Sequence, residues 1–189
     1  VPLFIFAGEI LSSGGVGRRI VDFARALLGF LPGGLGVVTV ASCLMFGGVS
    51  GSAIADTAAI GSLVIPAMVQ RGYSRGFAAA LLAVAGTLAL LMPLSIPFLV
   101  YAFISGVSMR QLSMAGIAPA IIAGAALMAV CVWHGRRSGC DSGDGRLSAR
   151  EVWKATKAAG PALLMPLISV GGIWSGFFTP SECAALAVV

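Results

Sequence analysis

The residues best suited to bind an ion or a small polar solute lie in one glycine- and serine-rich segment inside an apolar stretch. Residues 47–52 have the sequence GGVSGS, and an aspartate follows one helical turn later. Glycines expose backbone carbonyl and amide groups, serines add hydroxyl groups, and helix ends that meet at such a break direct partial charges at a bound ion or anion. The candidate binding residues of this segment are Gly47, Gly48, Ser50, Gly51, Ser52 and Asp56.

The aspartate of this segment is a functional candidate because ionisable residues inside a membrane are rare. Asp56 is surrounded by apolar residues on its C-terminal side. Three roles fit its position: it helps to bind a cation, it carries a proton, or it hydrogen-bonds the glycine-serine tip into shape. The sequence alone leaves the choice open.

A second polar interruption lies further along the chain. Its prolines are four residues apart, and both cannot lie inside a regular helix because each removes a hydrogen bond and clashes with the preceding turn. We interpret the stretch as a broken helix with freed carbonyl groups. The alternative is that the glycines are helix-packing contacts and the prolines simple kinks. The candidate binding residues here are Thr87, Pro93, Ser95 and Pro97.

The composition places these segments in a membrane. Hydrophobic residues make up 58% of the 189 residues and charged residues 10%, whereas soluble domains carry about 25% charged residues. The basic clusters lack the aromatic residues of a nucleic-acid surface, so they indicate cytoplasmic loops or contacts with lipid head groups. The 4 cysteines form no metal-binding spacing, and we expect neither a cofactor nor a nucleic-acid partner.

The apolar pattern predicts an all-α polytopic membrane protein within one membrane domain. It combines a re-entrant hairpin, a broken transmembrane helix, unbroken transmembrane helices and amphipathic arm helices at the interface. Because the sequence lacks an initial Met and ends within an apolar run, we expect the protein to continue beyond both ends. The predicted elements are a helix end with an arm helix (1–30), the hairpin (34–69), the broken helix (76–106), a transmembrane helix (112–133), a second arm helix (148–157), a transmembrane helix (161–178) and the start of another helix (180–189).

The hairpin is predicted to be re-entrant because each arm is short and the tip is polar. Arms of about 12 to 17 residues are marginal against a hydrocarbon core about 30 Å thick. The chain has 12 lysine and arginine residues. With this topology Arg110 lies on one side of the membrane, and all the other basic residues lie on the opposite side. The richer side is cytoplasmic by the positive-inside rule. Two full spans would give the same charge distribution, so the arm length and the tip carry the prediction.

Four motifs in order give the chain a family resemblance. They are PLFIFAGE (2–9), FGGVSGSAIAD (46–56), RGFAAA (75–80) and FTPSE (178–182). Together they resemble the large membrane subunit of the tripartite ATP-independent periplasmic (TRAP) transporters, over essentially the whole chain. The glycine-serine block with its aspartate is the most specific of the four.

The resemblance implies a fold and a function beyond what the residues show. TRAP subunits of this type resemble elevator-type carriers built from two inverted repeats, and this chain resembles roughly the first half. The implied function is sodium-driven import of organic acids, such as C4-dicarboxylates or sialic acid, across the bacterial inner membrane. The implied partners are a periplasmic binding protein and a small membrane subunit. The tip and residues 87–97 would form one sodium site and half of the substrate site, with Ser50, Ser52 and Thr87 as sodium candidates.

One segment departs from the family pattern. The broken helix of the family contains a glycine-proline pair and a second proline, where this chain has Ala89, Leu90 and Leu94. These substitutions predict a less open loop and put cation coordination from this side in question.

Two other classes of function are compatible with parts of the sequence. Residues 48–51 fit a Gly-x-Ser-Gly nucleophile motif, and Ser50 with His134 as base would form an intramembrane serine protease. The predicted topology places the histidine at the cytoplasmic edge, whereas the serine lies deep, and a base must reach within about 3 Å. The remaining alternative is a membrane scaffold that transports nothing.

Overall fold

The computed structural model describes residues 15–139 except 94, and residues 152–160 except 154 and 158. All of the regular structure in this part of the chain is helical. The predicted elements within residues 1–14, 140–151 and 161–189 lie outside the described residues. The helices are α1 (Val16–Leu28), α2 (Gly34–Ser50), α3 (Ala53–Gln70), α4 (Arg75–Leu88), α5 (Ile96–Ser105) and α6 (Met109–Ser138), with a 3₁₀ turn (Ala89–Leu91) between α4 and α5. The described residues between 152 and 160, which include part of the predicted second arm helix, are also helical.

The lengths and composition of three helical segments suit a membrane. Residues 53–70, 75–105 and 109–138 are each long and apolar enough to cross a bilayer, which needs about 20 apolar residues. The second of these segments contains both α4 and α5. The described part of the chain is therefore an all-helical protein of the polytopic membrane type.

Helix α2 is the centre of the fold. It packs against α1, α3, α4 and α6, and residues 33–43 are all buried. Its sequence is apolar on every face, as expected for a helix enclosed by others. The core around it contains Phe46 of α2, Ile60 and Met68 of α3, and Leu81 of α4.

Helix α1 is amphipathic, as its sequence pattern predicts. Ile20 and Ala24 are buried, whereas Arg18 and Arg19 are exposed. The apolar face packs against α2 and α3. The polar face remains on the outside of the described helices.

The break between α2 and α3 is shorter than the sequence pattern predicted. Residues 47–50 continue α2 to its last turn, and only Gly51 and Ser52 are non-helical. Glycine is tolerated in a helix when neighbouring packing requires a small residue, although it costs about 1 kcal/mol relative to alanine. The predicted break at Gly47 and Gly48 is therefore wrong, and the tip of the hairpin consists of two residues.

The run between residues 75 and 105 is interrupted where its prolines lie. After α4 and the 3₁₀ turn, Met92 and Ser95 adopt extended backbone conformations, and α5 begins at Ile96. Pro97 lies in the first turn of α5. Backbone N–H groups in the first turn have no acceptor within the helix, so the proline costs no helical hydrogen bond there. The interruption faces the tip of the α2–α3 hairpin.

Candidate functional site

The tip of the hairpin has a defined backbone geometry. Gly51 has a φ of 63°, in the left-handed region, and its N–H donates to the carbonyl oxygen of Gly47 at 3.1 Å. A residue with a β-carbon would be strained at this φ. Ser52 then caps α3, because its hydroxyl accepts a hydrogen bond from the N–H of Ala55 at 3.4 Å. The two residues together end one helix and start the next.

Ser50 and Asp56 form a buried polar pair directly beneath this tip. The Ser50 hydroxyl donates to Oδ1 of Asp56 and accepts from the N–H of Ser52 at 3.1 Å. The serine is 2% exposed and the aspartate 0%. Among the described residues, Oδ2 of Asp56 has no hydrogen-bond partner. Since a buried carboxylate oxygen is costly to leave without a partner, this oxygen has the capacity to bind a cation or a proton donor.

The broken segment is joined to the tip by a backbone hydrogen bond. The N–H of Ile96 donates to the carbonyl oxygen of Gly51 at 3.1 Å. The neighbouring Ser95 is fully buried, and its hydroxyl has no hydrogen-bond partner among the described residues. The two interruptions predicted from the sequence therefore meet, and each contributes a buried oxygen atom that is unpaired among the described residues.

The close approach of the two segments depends on a glycine in α2. A β-carbon placed on Gly47 would lie 2.7 Å from Cα and 3.0 Å from the carbonyl oxygen of Ala89, in the 3₁₀ turn. These distances are shorter than van der Waals contact. Gly47 therefore contributes to the site by allowing α2 to touch the turn, while its carbonyl group is engaged by Gly51.

Comparison with known proteins assigns a family to this arrangement. The protein-family model described as tripartite ATP-independent periplasmic transporter, DctM component, matches residues 1–189 of this chain. The chain belongs to this family. It is a part of a multi-pass protein of the bacterial inner membrane.

Three relatives show how much of a DctM protein this chain represents. It is 42% identical to the isethionate TRAP transporter permease protein DctMQ of Oleidesulfovibrio alaskensis, over 99% of this chain and 29% of that protein. It is 41% identical to the 2,3-diketo-L-gulonate TRAP transporter large permease protein YiaN of Escherichia coli, over 99% of this chain and 44% of that protein. It is 41% identical to the C4-dicarboxylate TRAP transporter large permease protein DctM of Vibrio cholerae, over 100% of this chain and 42% of that protein. The chain spans less than half the length of each.

Not all of the predicted site residues of this DctM chain come together. Thr87 lies on the exposed face of α4, and its hydroxyl donates to the carbonyl oxygen of Val84 at 2.7 Å. Pro97 is also exposed, whereas Pro93 is buried. Of the three sodium candidates, Ser50 and Ser52 both lie at the tip, whereas the hydroxyl of Thr87 is hydrogen-bonded within its own helix. The sodium set stays a prediction.

The structure separates the two residues of the protease alternative. A β-carbon on Gly36 would lie 3.1 Å from Cys131, which places the C-terminal part of α6 beside the start of α2. His134 is one turn beyond this cysteine and stacks on Phe77, with the ring centroids 3.9 Å apart. Ser50 is at the other end of α2, about 20 Å from Gly36 at 1.5 Å per residue. A histidine at that distance cannot activate the serine hydroxyl.

Sequence reasoning left open a hydrogen bond between Asp56 and the tip, and the structure shows one, which Ser50 donates. It named Ser95 as a candidate without predicting that the serine hydroxyl is buried and lacks a partner among the described residues. The signals for the local geometry were present: a glycine after an apolar run ends a helix, and a serine before the next run caps one. Two further buried serine hydroxyls, those of Ser42 and Ser113, also lack a partner among the described residues. Within that part of the chain, no group of three or more His, Cys, Asp or Glu side chains has the spacing to hold a metal ion.

Proposed function

We propose that this chain is part of the membrane subunit of a sodium-coupled, binding-protein-dependent secondary transporter that imports organic acids. The observation that carries the proposal is the meeting of the hairpin tip with the broken segment, through the bond between Gly51 and Ile96. Irregular backbone at membrane depth occurs where it is buried in protein or lines a cavity. Helix ends that meet in this way form the ion and substrate sites of many secondary transporters.

The charge of the buried pair supports sodium as the coupling ion. Asp56 is fully buried, and one of its carboxylate oxygens is unpaired among the described residues. The hydroxyl group of Ser95 is buried and unpaired in the same way. Carboxylate and hydroxyl oxygens are hard donors, which suit a hard cation such as Na⁺. We propose that sodium, a co-substrate of transport, binds with the help of these two residues and of the tip carbonyl groups.

The relatives support an organic acid as the class of substrate. The proteins similar to this chain are named for isethionate, 2,3-diketo-L-gulonate and C4-dicarboxylates, all of which are organic acids. The helix N-terminus of α3 begins at the tip, capped by Ser52, and its partial positive charge favours an anion. An organic acid of the C4-dicarboxylate or sialic-acid type is the substrate we propose, bound at the tip beside the sodium ion.

The proposed assembly contains two further proteins. A periplasmic binding protein delivers the acid, and a small membrane subunit supports the permease. The hairpin of α2 and α3 is proposed to be re-entrant, and the whole domain to move as an elevator within an inverted-repeat protein. The second half of the site then lies in the part of the permease that this chain does not span.

Transport by the full complex tests the proposal. The full-length permease, the small subunit and the binding protein are reconstituted into liposomes, and uptake of a radiolabelled C4-dicarboxylate or sialic acid is measured with and without a sodium gradient. We expect uptake only with sodium outside and with the binding protein present. Equal uptake when potassium replaces sodium would overturn the sodium coupling, and uptake without the binding protein would overturn its role.

A further inference from the structure

A cavity of about 310 Å³ lies on the flank of the hairpin, remote from the tip. It is bounded by α1, by the start of α2 and by the C-terminal half of α3. The proposed transport site does not use it. Its lining combines a charged rim from one helix with an apolar wall from the other two, formed by Arg18, Asp22, Arg25, Leu35, Leu63 and Val64.

The amphipathic pattern of α1 produces the rim. The three charged residues are spaced four and three residues apart, so they lie on one face of the helix. The opposite face holds Ile20 and Ala24, which are buried against the neighbouring helices. Helix α1 is therefore fixed in its rotation by its apolar side, and its charged side is held over the opening of the cavity.

The balance of charge on the rim is positive. The charged residues that line the cavity are two arginines, Arg18 and Arg25, and one aspartate, Asp22. Guanidinium groups bind phosphate through paired N–H donors. The wall below them is apolar, with Leu35 4% and Val64 2% exposed. A ligand that matches both parts has an anionic head and a hydrocarbon tail.

The position of the cavity agrees with a lipid source for this ligand. Both arginines belong to the basic majority that the positive-inside rule assigns to the cytoplasmic side. The cytoplasmic leaflet carries anionic lipids, and basic pockets between helices on this side suit their head groups. A free anion in water would gain nothing from the apolar wall, whereas an acyl chain would bury its surface there.

We propose that this cavity binds an anionic phospholipid, with the head group on Arg18 and Arg25 and the start of an acyl chain against the wall of α2 and α3. The lipid fills the space between the amphipathic helix and the hairpin. The proposal rests on the membrane location of the chain and is independent of sodium coupling and of the transported acid.

Lipid binding to the full-length permease complex tests the proposal. The complex is delipidated, then titrated with dioleoyl phosphatidylglycerol or dioleoyl phosphatidylcholine, and bound lipid is counted by native mass spectrometry. We expect Arg18→Gln and Arg25→Gln each to weaken phosphatidylglycerol binding about fivefold, the effect of one basic residue near a membrane surface. Arg19→Gln is the matched control, because Arg19 is exposed on the same helix but does not line the cavity.

A second variant tests the cavity without changing its charge. Ala67 lines the apolar wall, and Ala67→Trp would fill the space that the acyl chain needs. We expect this variant to lose one bound phosphatidylglycerol molecule while both arginines remain. Equal binding by all variants, equal binding of the two lipids, or full competition by inorganic phosphate alone would overturn the proposal. Unchanged lipid counts would also result if another segment of the permease occupied the cavity, and would overturn it equally.

Discussion

The N–H of Ile96 donates a hydrogen bond to the carbonyl oxygen of Gly51 at 3.1 Å, and so joins two interruptions that are far apart in the sequence. On one side of this bond are the buried hydroxyl of Ser50 and the carboxylate of Asp56. On the other side is the buried hydroxyl of Ser95. The bond makes the tip and the broken segment a single polar unit inside an apolar protein.

The hydroxyl of Ser50 is predicted to stabilise this unit. In Ser50→Ala, Asp56 loses its donor and the N–H of Ser52 loses its acceptor. Leaving a buried polar group unsatisfied costs about 1–3 kcal/mol. We expect the full-length variant to unfold at a lower temperature in detergent and to lose transport. Ser62→Ala is the control, since its exposed hydroxyl donates only to the carbonyl oxygen of Ala59; a similar change in both variants would contradict the prediction.

The charge of Asp56 is predicted to matter for sodium and less for folding. In Asp56→Asn, the side-chain oxygen still accepts from Ser50, but the negative charge is lost. We expect a folded protein that needs a much higher sodium concentration for half-maximal uptake, because a neutral amide attracts a cation more weakly. The measurement is the sodium dependence of uptake in proteoliposomes. An unchanged sodium dependence would assign Asp56 a structural role at the tip.

The contact between α2 and the 3₁₀ turn is predicted to require Gly47. In Gly47→Ala, the new methyl group would lie 2.7 Å from Cα of Ala89. Forced overpacking of this kind costs about 1–3 kcal/mol. The matched control is Gly76→Ala in α4, where a β-carbon meets no atom within 4 Å and a gain of up to about 1 kcal/mol in helix propensity is expected. Thermal unfolding of both full-length variants measures the difference, and equal stability would refute the close contact.

The re-entrant path of the hairpin is predicted to limit access to its tip. Ile54 is 85% exposed and Val107 41% exposed among the described residues. Each is replaced by cysteine in a cysteine-free full-length permease, and intact cells are treated with a membrane-impermeant maleimide. We expect Val107→Cys to react rapidly from the periplasm and Ile54→Cys slowly, because the tip lies at membrane depth. Equal rates would indicate that α2 and α3 both cross the membrane fully.

The sequence predicted the general plan of the fold because its signals are local. The apolar runs indicated membrane helices, and Pro93 and Pro97 marked the interruption between α4 and α5. The family resemblance was identified from four motifs, one of which contains the tip, and the family comparison confirms it. The amphipathic pattern of α1 likewise predicted its buried and exposed faces.

The details of the site could not be predicted because they depend on packing between distant helices. Helix α2 continues through Gly47 and Gly48, and Gly47 lies in close contact with Ala89, a contact that no local pattern encodes. Thr87 resembled a sodium ligand by its position in the family motif, yet its side chain lies on the exposed face of α4. The burial of the Ser95 hydroxyl without a partner among the described residues depends on how the broken segment packs against other helices.

The hydroxyl of Ser95 offers the most direct test of the sodium site. Ser95→Ala and Ser42→Ala both remove a buried hydroxyl without a partner among the described residues. Only the first adjoins the tip, because Ser42 lies eight residues before Ser50 in α2, about 12 Å along the helix. The measurement is the sodium concentration for half-maximal uptake by the reconstituted full-length complex, with thermal unfolding as a check on folding. The proposed site predicts that Ser95→Ala raises this concentration about tenfold, as loss of about 1.4 kcal/mol of sodium binding would, while Ser42→Ala leaves it unchanged. The same sodium dependence in both variants would contradict the account.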